Sequence, residues 1–221
     1  MGAERLSVIV PALNEASGIR AALEALAPLR ARGHEVIVVD GGSSDRTPEL
    51  AAGLCDRVLS APRGRAPQMN AGARAASGDV LLFLHADTRL PPRAEALIPN
   101  SSVWGRFDVQ IEGRHPLLKV VAWGMNLRSR LTGIATGDQA MFVRRDAFPG
   151  FPEIPLMEDI ELSKRLKRFG PPLCLRHRIV TSGRRWEKRG VVRTVLLMWR
   201  LRLAYWLGAD PRRLATRYGG R

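Results

Sequence analysis

Three acidic residues stand just beyond short apolar runs, where their side chains could hold a ligand. The runs have no polar face, which is typical of strands covered on both sides in a parallel α/β sheet. The carboxyl ends of such strands share one edge of the sheet, and ligands bind at that edge. The alternative is that each acidic residue caps the helix that follows it. The three are Glu15 after residues 6–10, Asp40 after 35–39 and Asp87 after 80–84.

Asp87 is the first candidate for a metal ligand. A carboxylate is a hard oxygen ligand that suits Mg²⁺ or Mn²⁺, and such an ion would offset the negative charge of a leaving diphosphate. His85, two residues earlier, is the second candidate, because Mn²⁺ tolerates nitrogen better than Mg²⁺ does. His85 could equally hydrogen-bond to a phosphate or fill a core position.

Two further groups of residues could take part in a reaction. Glu158 and Asp159 open a helix predicted over 158–169, where a carboxylate could act as a general base for an acceptor. The alternative is that the pair only favours the helix dipole. The run Arg184-Arg185-Trp186 could bind a diphosphate or stack on a sugar, or it could be a solvated basic turn anchored by Trp186.

The glycine-rich loop helps to exclude two nucleotide-binding classes. Gly41 and Gly42 follow the second predicted strand, and Asp40 before them could accept hydrogen bonds from a base or a ribose. A dinucleotide-binding Gly-x-Gly-x-x-Gly loop would follow the first strand, where the sequence has PALNE instead. The chain has no Gly-x-x-x-x-Gly-Lys-Ser/Thr loop either. NAD-binding and P-loop functions are therefore not expected.

The elements that must position these residues alternate through the first 90 residues. Apolar runs, helical spacing and turn residues predict the order β-α-β-α-β-α-β, which favours a parallel sheet with right-handed crossovers. The second half is predicted to be more mixed. The predicted strands are 6–10, 35–39, 57–60, 80–84, 103–111 and 139–143, with short strands near Leu173 and Ile179. The predicted helices are 17–30 with Ser17 as its N-cap, one from Thr47, 68–76, one opened by Pro91, 116–131, 158–169, 190–208 and one from Pro211.

Composition indicates a globular protein with polyanionic partners. Its 221 residues are 45% hydrophobic, so a sizeable core is expected, and 35 Lys and Arg against 21 Asp and Glu give a net charge of +14. The last 46 residues hold 13 Lys and Arg but only 2 Asp and Glu, so most of the excess charge lies there. Nucleic acid, anionic lipid or phosphorylated substrates would match this charge.

The cysteines and the lengths of the apolar runs indicate where in the cell the protein is expected. Cys55 and Cys174 are too few and too far apart to imply a disulfide framework or a zinc site. No signal peptide opens the chain, and no apolar run reaches the roughly 18 residues of a spanning helix, so a cytoplasmic protein is expected. The helix over 190–208 is expected to be a core helix with snorkelling arginines. The alternative is a peripheral helix on the inner face of an anionic membrane, which would suit a lipid acceptor.

Six motifs in order resemble the nucleotide-sugar glycosyltransferases of family 2, which have the GT-A fold. Each motif is weak alone, but their order along nearly the whole chain is specific. They are VIVPALNE from Val8, VVDGGSSD from Val38, Asn70-Ala71-Gly72 with AASGD from Ala75, His85-Ala86-Asp87 in place of Asp-x-Asp, Glu158-Asp159 with Leu162 and Arg165, and Arg184-Arg185-Trp186. The runs FLHADT, TGDQAMFVRR, PLMEDIELSKRLKR and SGRRWEKRGVVRT are similar to a compact bacterial subgroup, some members of which are labelled arsenosugar biosynthesis glycosyltransferases.

The resemblance implies an α/β, Rossmann-like domain over 1–221 with a mainly parallel sheet. Its parts would be a nucleotide-binding half (1–90), an acceptor and catalytic half (91–189) and basic C-terminal helices (190–221). It implies a metal-dependent, inverting sugar transfer from a nucleotide sugar, with UDP favoured, to a small-molecule or lipid-linked acceptor.

The resemblance also assigns roles to residues. Asp159 would be the base with Glu158 beside it, and Asp87 and His85 would bind the cofactor, Mn²⁺ or Mg²⁺. The nucleotide-binding residues would be Pro11, Ala12, Asn14, Glu15, Asp40, Gly41, Arg65, Asn70 and Ala86. The residues at the donor sugar, acceptor or diphosphate would be Gly137, Asp138, Gln139, Arg184, Arg185 and Trp186.

Two positions depart from the family pattern. His85 replaces the first carboxylate of Asp-x-Asp, so metal binding would rest on Asp87. Ser182 replaces the Gln of the Gln-x-x-Arg-Trp element, which argues against processive polymer synthesis.

Two rival functions are also considered. A nucleic-acid-binding protein would explain the basic tail, but aromatic residues make up only 6% of the chain and are not interleaved with the basic run. A sugar-phosphate nucleotidyltransferase would share the sheet and the metal-binding Asp. Such enzymes open with a glycine-rich loop ending in Lys, whereas residues 11–15 contain neither.

Overall fold

The computed structural model describes residues 4–219, which form a mixed eight-stranded sheet with helices on both faces. The strands lie in the order β3-β2-β1-β4-β7-β6-β8-β5. Their bounds are β1 Leu6–Ala12, β2 Glu35–Asp40, β3 Arg57–Ser60, β4 Val80–Phe83, β5 Thr88–Arg89, β6 Trp104–Glu112, β7 Phe142–Arg144 and β8 Leu173–Ser182.

Nine helices of the described residues connect or flank these strands. They are α1 Ile19–Glu24, α2 Ala27–Ala31, α3 Thr47–Ala51, α4 Arg65–Ala75, α5 Leu117–Thr132, α6 Glu158–Leu166, α7 Arg184–Arg189, α8 Val191–Trp206 and α9 Pro211–Gly219. Short 3-10 turns occupy Ala94–Leu97, Gly137–Gln139, Arg145–Ala147 and Lys167–Phe169.

The first four strands are parallel, as the sequence predicts. Val8 of β1 lies opposite Val36 of β2 on one side and Leu82 of β4 on the other, and β3 pairs in parallel with β2. The carboxyl ends of β1, β2 and β4 therefore meet at one edge. This edge carries the loops after Ala12, Asp40 and Phe83.

Alternating residues of the buried strands belong to two hydrophobic cores, one on each face of the sheet. Val8 and Val10 pack with α1, α2, α3, α5 and the start of α8, whereas Ile9 packs with α4 and α6. The side chains of a strand point to opposite faces in turn. The unbroken apolar runs of the sequence therefore reflect burial on both faces.

The second half adds antiparallel pairs to the sheet. β7 runs antiparallel to both β4 and β6, and so joins the parallel half to the rest. β6 then pairs in parallel with β8, with a register shift between Phe107 and Asp108. The helix α6 follows β7 and brings its first turn to the same edge as the loops of the first half.

The predicted helix over 17–30 is wrong in two respects. The helix begins at Ile19 with Gly18 at its N-cap position, and no Ser17 side chain caps it. It also ends at Glu24 and restarts at Ala27, with Pro28 in the first turn of α2. Proline has no amide hydrogen and its ring clashes with the preceding turn, so the helix cannot continue through Pro28.

Three further predicted elements differ from the structure. The predicted helix at Pro91 is only the 3-10 turn 94–97, after Arg93 adopts a left-handed conformation with φ 52°. The strand predicted over 139–143 begins at Phe142, because a capping box between Thr136 and Gln139 closes a 3-10 turn before it. The two short strands predicted near Leu173 and Ile179 are one strand, β8.

The C-terminal helices lie against the second half. α7 follows β8 directly, and α8 and α9 form a third small apolar cluster with Met157, the residue before α6. Within residues 4–219, no helix has the length and apolarity needed to cross a membrane.

Candidate active site

The loops after β1 and β2 hold each other through polar contacts. The Asn14 amide donates to Ser43 Oγ at 2.9 Å, and Asn14 Oδ1 accepts from the Ser44 amide at 2.8 Å. Asn14 has a left-handed backbone, φ 55°, a conformation that asparagine tolerates better than most residues. The Glu15 amide donates to Thr47 Oγ1 at 2.8 Å. The predicted nucleotide-binding residues of the two loops are thus part of one preformed edge.

Asp40 is buried and shapes the glycine loop. Its Oδ2 accepts the amide hydrogens of Gly42 and Ser43, both at 2.9 Å. Gln68 of α4 donates from Nε2 to the carbonyls of Ala12 and Val39, both at 2.8 Å, which ties the ends of β1 and β2 together. The carboxylate therefore stabilises the loop, and its contact with a base stays a prediction.

Asp87 and Glu15 face each other at the edge of the sheet. Asp87 is exposed, and Thr181 Oγ1 of β8 lies 3.5 Å from its Oδ1. Burial, and then the negative charge of Asp87, raise the pKa of Glu15. Two carboxylates that disfavour each other's charge fit a divalent cation, which would remove that repulsion.

The protein supplies few ligands for such an ion. Residues 4–219 contain no group of three or more His, Cys, Asp and Glu side chains placed to hold a metal. Mg²⁺ and Mn²⁺ sites of transferases commonly use one or two carboxylates and complete the shell with substrate phosphates and water. The residues at this edge fit that kind of site.

His85 is engaged with a carboxylate. Its Nδ1 lies 3.3 Å from Asp138 Oδ1, and a Cβ added at Gly137 would lie only 2.9 Å from His85 Nε2. Burial alone would raise the pKa of Asp138, but the hydrogen bond from His85 and the charges of His85, Arg65 and Arg185 hold that pKa well below its usual range. His85 therefore joins the β4 loop to the 137–139 turn. Its role as a metal ligand stays a prediction.

Glu158 and Asp159 begin α6 beside that turn. Met157 before them has a left-handed backbone, φ 71°, which is unfavourable for a non-glycine residue and sets the direction of the first turn. Asp159 Oδ2 accepts the Gly137 amide hydrogen at 3.1 Å. Burial of Glu158, and then the charge of Asp159, raise the pKa of Glu158 to about 7. Glu158 can therefore hold a proton near neutral pH, beside Asp159.

A narrow cavity brings the predicted residues of both halves together. It lies between the β1 loop, α4, the β4 loop, the 137–139 turn and the start of α6. The residues that line it are Pro11, Arg65, Met69, Phe83, Leu84, His85, Gly137, Met141, Phe151, Glu158 and Asp159.

Asn70 and Gln139 are buried and hydrogen-bonded within the protein, and their contact with a ligand stays a prediction. Asn70 Nδ2 donates to the Phe151 carbonyl at 2.9 Å, and its Oδ1 accepts the Phe151 amide hydrogen at 2.8 Å. Gln139 is fully buried, donates to Ser129 of α5 at 3.1 Å and accepts from the Thr136 amide. Both amides are used to position the walls of the cavity.

The other predicted residues divide between cavity and core. Ala86 is buried, and Trp186, which is partly buried, packs against the larger core. Arg184 lies near Glu15, whereas Arg185 lies near Asp138 and also over the Tyr218 ring, 4.5 Å from its centroid.

Sequence reasoning missed two arginines near the acidic pair. Arg128 of α5 and Arg202 of α8 are both close enough to Asp159 and Asp138 for these carboxylates to act on them. The only signal was that both lie in apolar helices, which contain further arginines, and the sequence alone cannot distinguish them from snorkelling arginines.

Comparison with known proteins agrees with this geometry. Residues 7–100 match the model of the family described as Glycosyl transferase family 2. Over 97 residues, 41% of this chain, the sequence is 36% identical to the PGL/p-HBAD biosynthesis glycosyltransferase of Mycobacterium bovis. The match covers 38% of that protein, so the chain spans little more than a third of its length.

Two solved structures are similar to the whole arrangement. The S. aureus protein TarS, residues 1–349 in complex with UDP-GlcNAc, aligns with a TM-score of 0.64 and 20% identity over 80% of this chain and 58% of its own. The mannosyltransferase PcManGT of Pyrobaculum calidifontis, in complex with GDP-Man and Mn²⁺, aligns with a TM-score of 0.64 and 22% identity over 92% of this chain and 62% of its own. The α/β class predicted from the sequence is confirmed. Residues 7–100 are thus similar to glycosyl transferase family 2, and the chain has the GT-A fold.

Proposed function

We propose that the protein transfers a sugar from a nucleotide-sugar donor to an acceptor, with inversion at the anomeric carbon. The observation that carries this proposal is the meeting of the β1 and β2 loops, Asp87 and the Glu158–Asp159 pair at one edge of the sheet. Structures with the same fold contain UDP-GlcNAc or GDP-Man, which supports a nucleotide-sugar donor.

Asp159 is the proposed general base. The acceptor hydroxyl loses its proton to the Asp159 carboxylate as its oxygen bonds to the anomeric carbon. The bond from that carbon to the diphosphate oxygen breaks, and its electron pair leaves with the nucleoside diphosphate. The Gly137 amide, 3.1 Å from Asp159 Oδ2, holds the carboxylate in place for this step.

Positive charge for the leaving group would come from two sources. Asp87, with Glu15 and His85 close by, would hold Mn²⁺ or Mg²⁺, which supplies a Lewis acid at the diphosphate. Arg184 lies near Glu15, and Arg65 and Arg185 lie near Asp138, so these cations can also face a diphosphate.

Donor binding is tested by thermal shift with UDP, GDP and their sugars, each with Mn²⁺, Mg²⁺ or EDTA. A ligand that binds only the folded state raises the melting temperature. We expect a metal-dependent shift with one nucleoside diphosphate, with UDP favoured, and its loss in Asp87→Asn. Asp146→Asn, an exposed carboxylate outside the cavity, serves as the control. The absence of a shift with every nucleotide would contradict the proposal. Pyrophosphate release from a nucleoside triphosphate would favour nucleotidyl transfer instead.

We also propose that the outer faces of α5 and α8 rest on an anionic lipid bilayer. These faces expose an apolar surface with three tryptophans, Trp123, Trp199 and Trp206, at 65%, 72% and 80% exposure. Arg193 and Arg200 are exposed on α8. Tryptophan together with arginine on one helical surface suits the interface of a negatively charged membrane. The remaining exposed apolar residues of this surface are Leu117, Val120, Leu127, Leu131, Val192, Leu196, Leu203 and Leu207.

A further inference from the structure

Two arginines beside the acidic pair have buried nitrogen atoms without hydrogen-bond partners. They are Arg128 on α5, through Nε and Nη2, and Arg202 on α8, through Nε. Guanidinium groups that are removed from water normally find a carboxylate, a phosphate or a carbonyl, because an unpaired buried donor is costly. Neither side chain has such a partner among the described residues.

The surrounding helices place both arginines close to the proposed base. The inner face of α8 packs against Met157 through Leu201, and Tyr205 donates a hydrogen bond to Glu161 of α6 at 2.6 Å. On the other side, Ser129 of α5 accepts from Gln139 in the 137–139 turn. Arg128 and Arg202 therefore flank the region where α6 and this turn meet.

The nearby carboxylates do not neutralise the two arginines by direct contact. Asp159 accepts from the Gly137 amide, and Asp138 pairs with His85. Burial, and then the charge of Arg202, lower the pKa of Arg128 to about 10. By contrast, Arg130, two residues further along α5, pairs with Asp108 at 2.8 Å. Among the described residues, no carboxylate therefore pairs directly with Arg128 or Arg202, although Asp159 and Asp138 lie near both.

We propose that Arg128 and Arg202 form a binding site for a phosphate group carried by the acceptor. The proposal rests on the sugar transfer proposed above and names the acceptor class for that reaction. Two guanidinium groups from different helices match the charge of a phosphate dianion, and each can donate two parallel hydrogen bonds to its oxygens. Bound there, the phosphate would hold the acceptor beside Asp159.

The site is tested by calorimetric titration with inorganic phosphate and with hexyl phosphate, after the donor site has been saturated with the nucleoside diphosphate and Mn²⁺. We expect Arg128→Gln and Arg202→Gln to weaken phosphate binding at least tenfold. The control is Arg74→Gln, an exposed arginine in the last turn of α4, and its affinity should match the unaltered protein. Tighter binding of hexyl phosphate than of inorganic phosphate would identify an organic phosphate as the ligand; equal binding would identify the free ion.

Two results would overturn the proposal. One is unchanged phosphate affinity in both Arg128→Gln and Arg202→Gln, and the other is an equal loss of affinity in Arg74→Gln. Acetate as a third probe should bind more weakly than phosphate, because it carries one charge, and equal binding would contradict a phosphate site.

Thermal stability separates a ligand site from a structural role. A ligand site predicts that Arg202→Gln raises the melting temperature when no phosphate is present, since it removes a buried charge that Arg128 repels. A structural counter-ion to Asp159 predicts a lower melting temperature, which would contradict the proposal. The change in melting temperature on adding a nucleotide to the same samples shows whether the donor site binds nucleotide. Phosphate binding without nucleotide binding would refute sugar transfer alone, and nucleotide binding without phosphate binding would refute the anion site alone.

Discussion

Asp159 is the residue at which loss of activity should be most specific. We expect Asp159→Asn to reduce sugar transfer by about 10²–10⁴-fold, because an amide cannot accept the acceptor proton. Nucleotide binding should stay within a factor of about two, since the donor loops do not contact this side chain. The measurement is the single-turnover transfer rate beside nucleotide titration. Loss of both properties together would indicate a structural role.

Glu158 should make the stability of the protein depend on pH. Its raised pKa means that the folded state binds more protons than the unfolded state between about pH 4.5 and 7. Stability should therefore fall as the pH rises through that window. Glu158→Gln should remove this dependence and stabilise the protein by on the order of 2 kcal/mol at pH 8. The check is urea unfolding at pH 5 and pH 8. An unchanged difference between the two pH values would contradict the assignment.

For single residues, the sequence indicates which side chains could take part in chemistry better than it indicates which residues they contact. Asp87, Glu158 and Asp159 could be chosen because they stand at strand and helix ends within family-like motifs, although helix capping would place carboxylates there too. Asn70 and Gln139 carry polar side chains in the same motifs, yet their partners are Phe151 and Ser129, which lie far along the chain or on another element. Local sequence contains no signal for such pairs.

Among the elements, α4 depends on close packing against β1. A Cβ added at Gly72 would lie 2.4 Å from Ile9 Cγ2, inside a core where Ile9 is fully buried. We expect Gly72→Ala to destabilise the protein by about 1–3 kcal/mol, measured by chemical unfolding.

Gly124 in α5 is the matched control, because a Cβ there would meet nothing within 4 Å. Gly124→Ala should stabilise the protein by about 0.5–1 kcal/mol, since alanine favours a helix interior. Equal changes in the free energy of unfolding for the two substitutions would contradict a role for the close packing at Gly72.

Strands could be predicted from the sequence where all of their residues are buried. The parallel strands β1, β2 and β4 were predictable because continuous apolar runs require cover on both faces. The 3-10 turns at 94–97 and 137–139 were not, because each depends on one left-handed residue, Arg93 before the first and Ala140 after the second. The spacing of apolar residues carries no information about the backbone conformation of one residue.

For the whole molecule, the apolar surface of α5 and α8 predicts membrane binding. The protein should float with vesicles of phosphatidylglycerol and phosphatidylcholine, and less with phosphatidylcholine alone or at high salt. Replacing Trp199 and Trp206 by serine should weaken binding roughly tenfold or more. Phe169→Ser, an exposed aromatic on another element, is the control. A dimer in solution without vesicle binding would show that a second copy covers this face.

The sheet order has a consequence for how the molecule assembles. Phe83 ends β4 and Thr88 begins β5, yet four strand spacings separate these neighbours in the chain. A flat sheet would need about 19 Å for that distance, and five residues reach at most about 17 Å. The sheet must therefore curl, and β5 reaches its place only by pairing with β8, more than ninety positions later. The position of the loop that carries His85 and Asp87 therefore depends on a contact with the last strand of the chain.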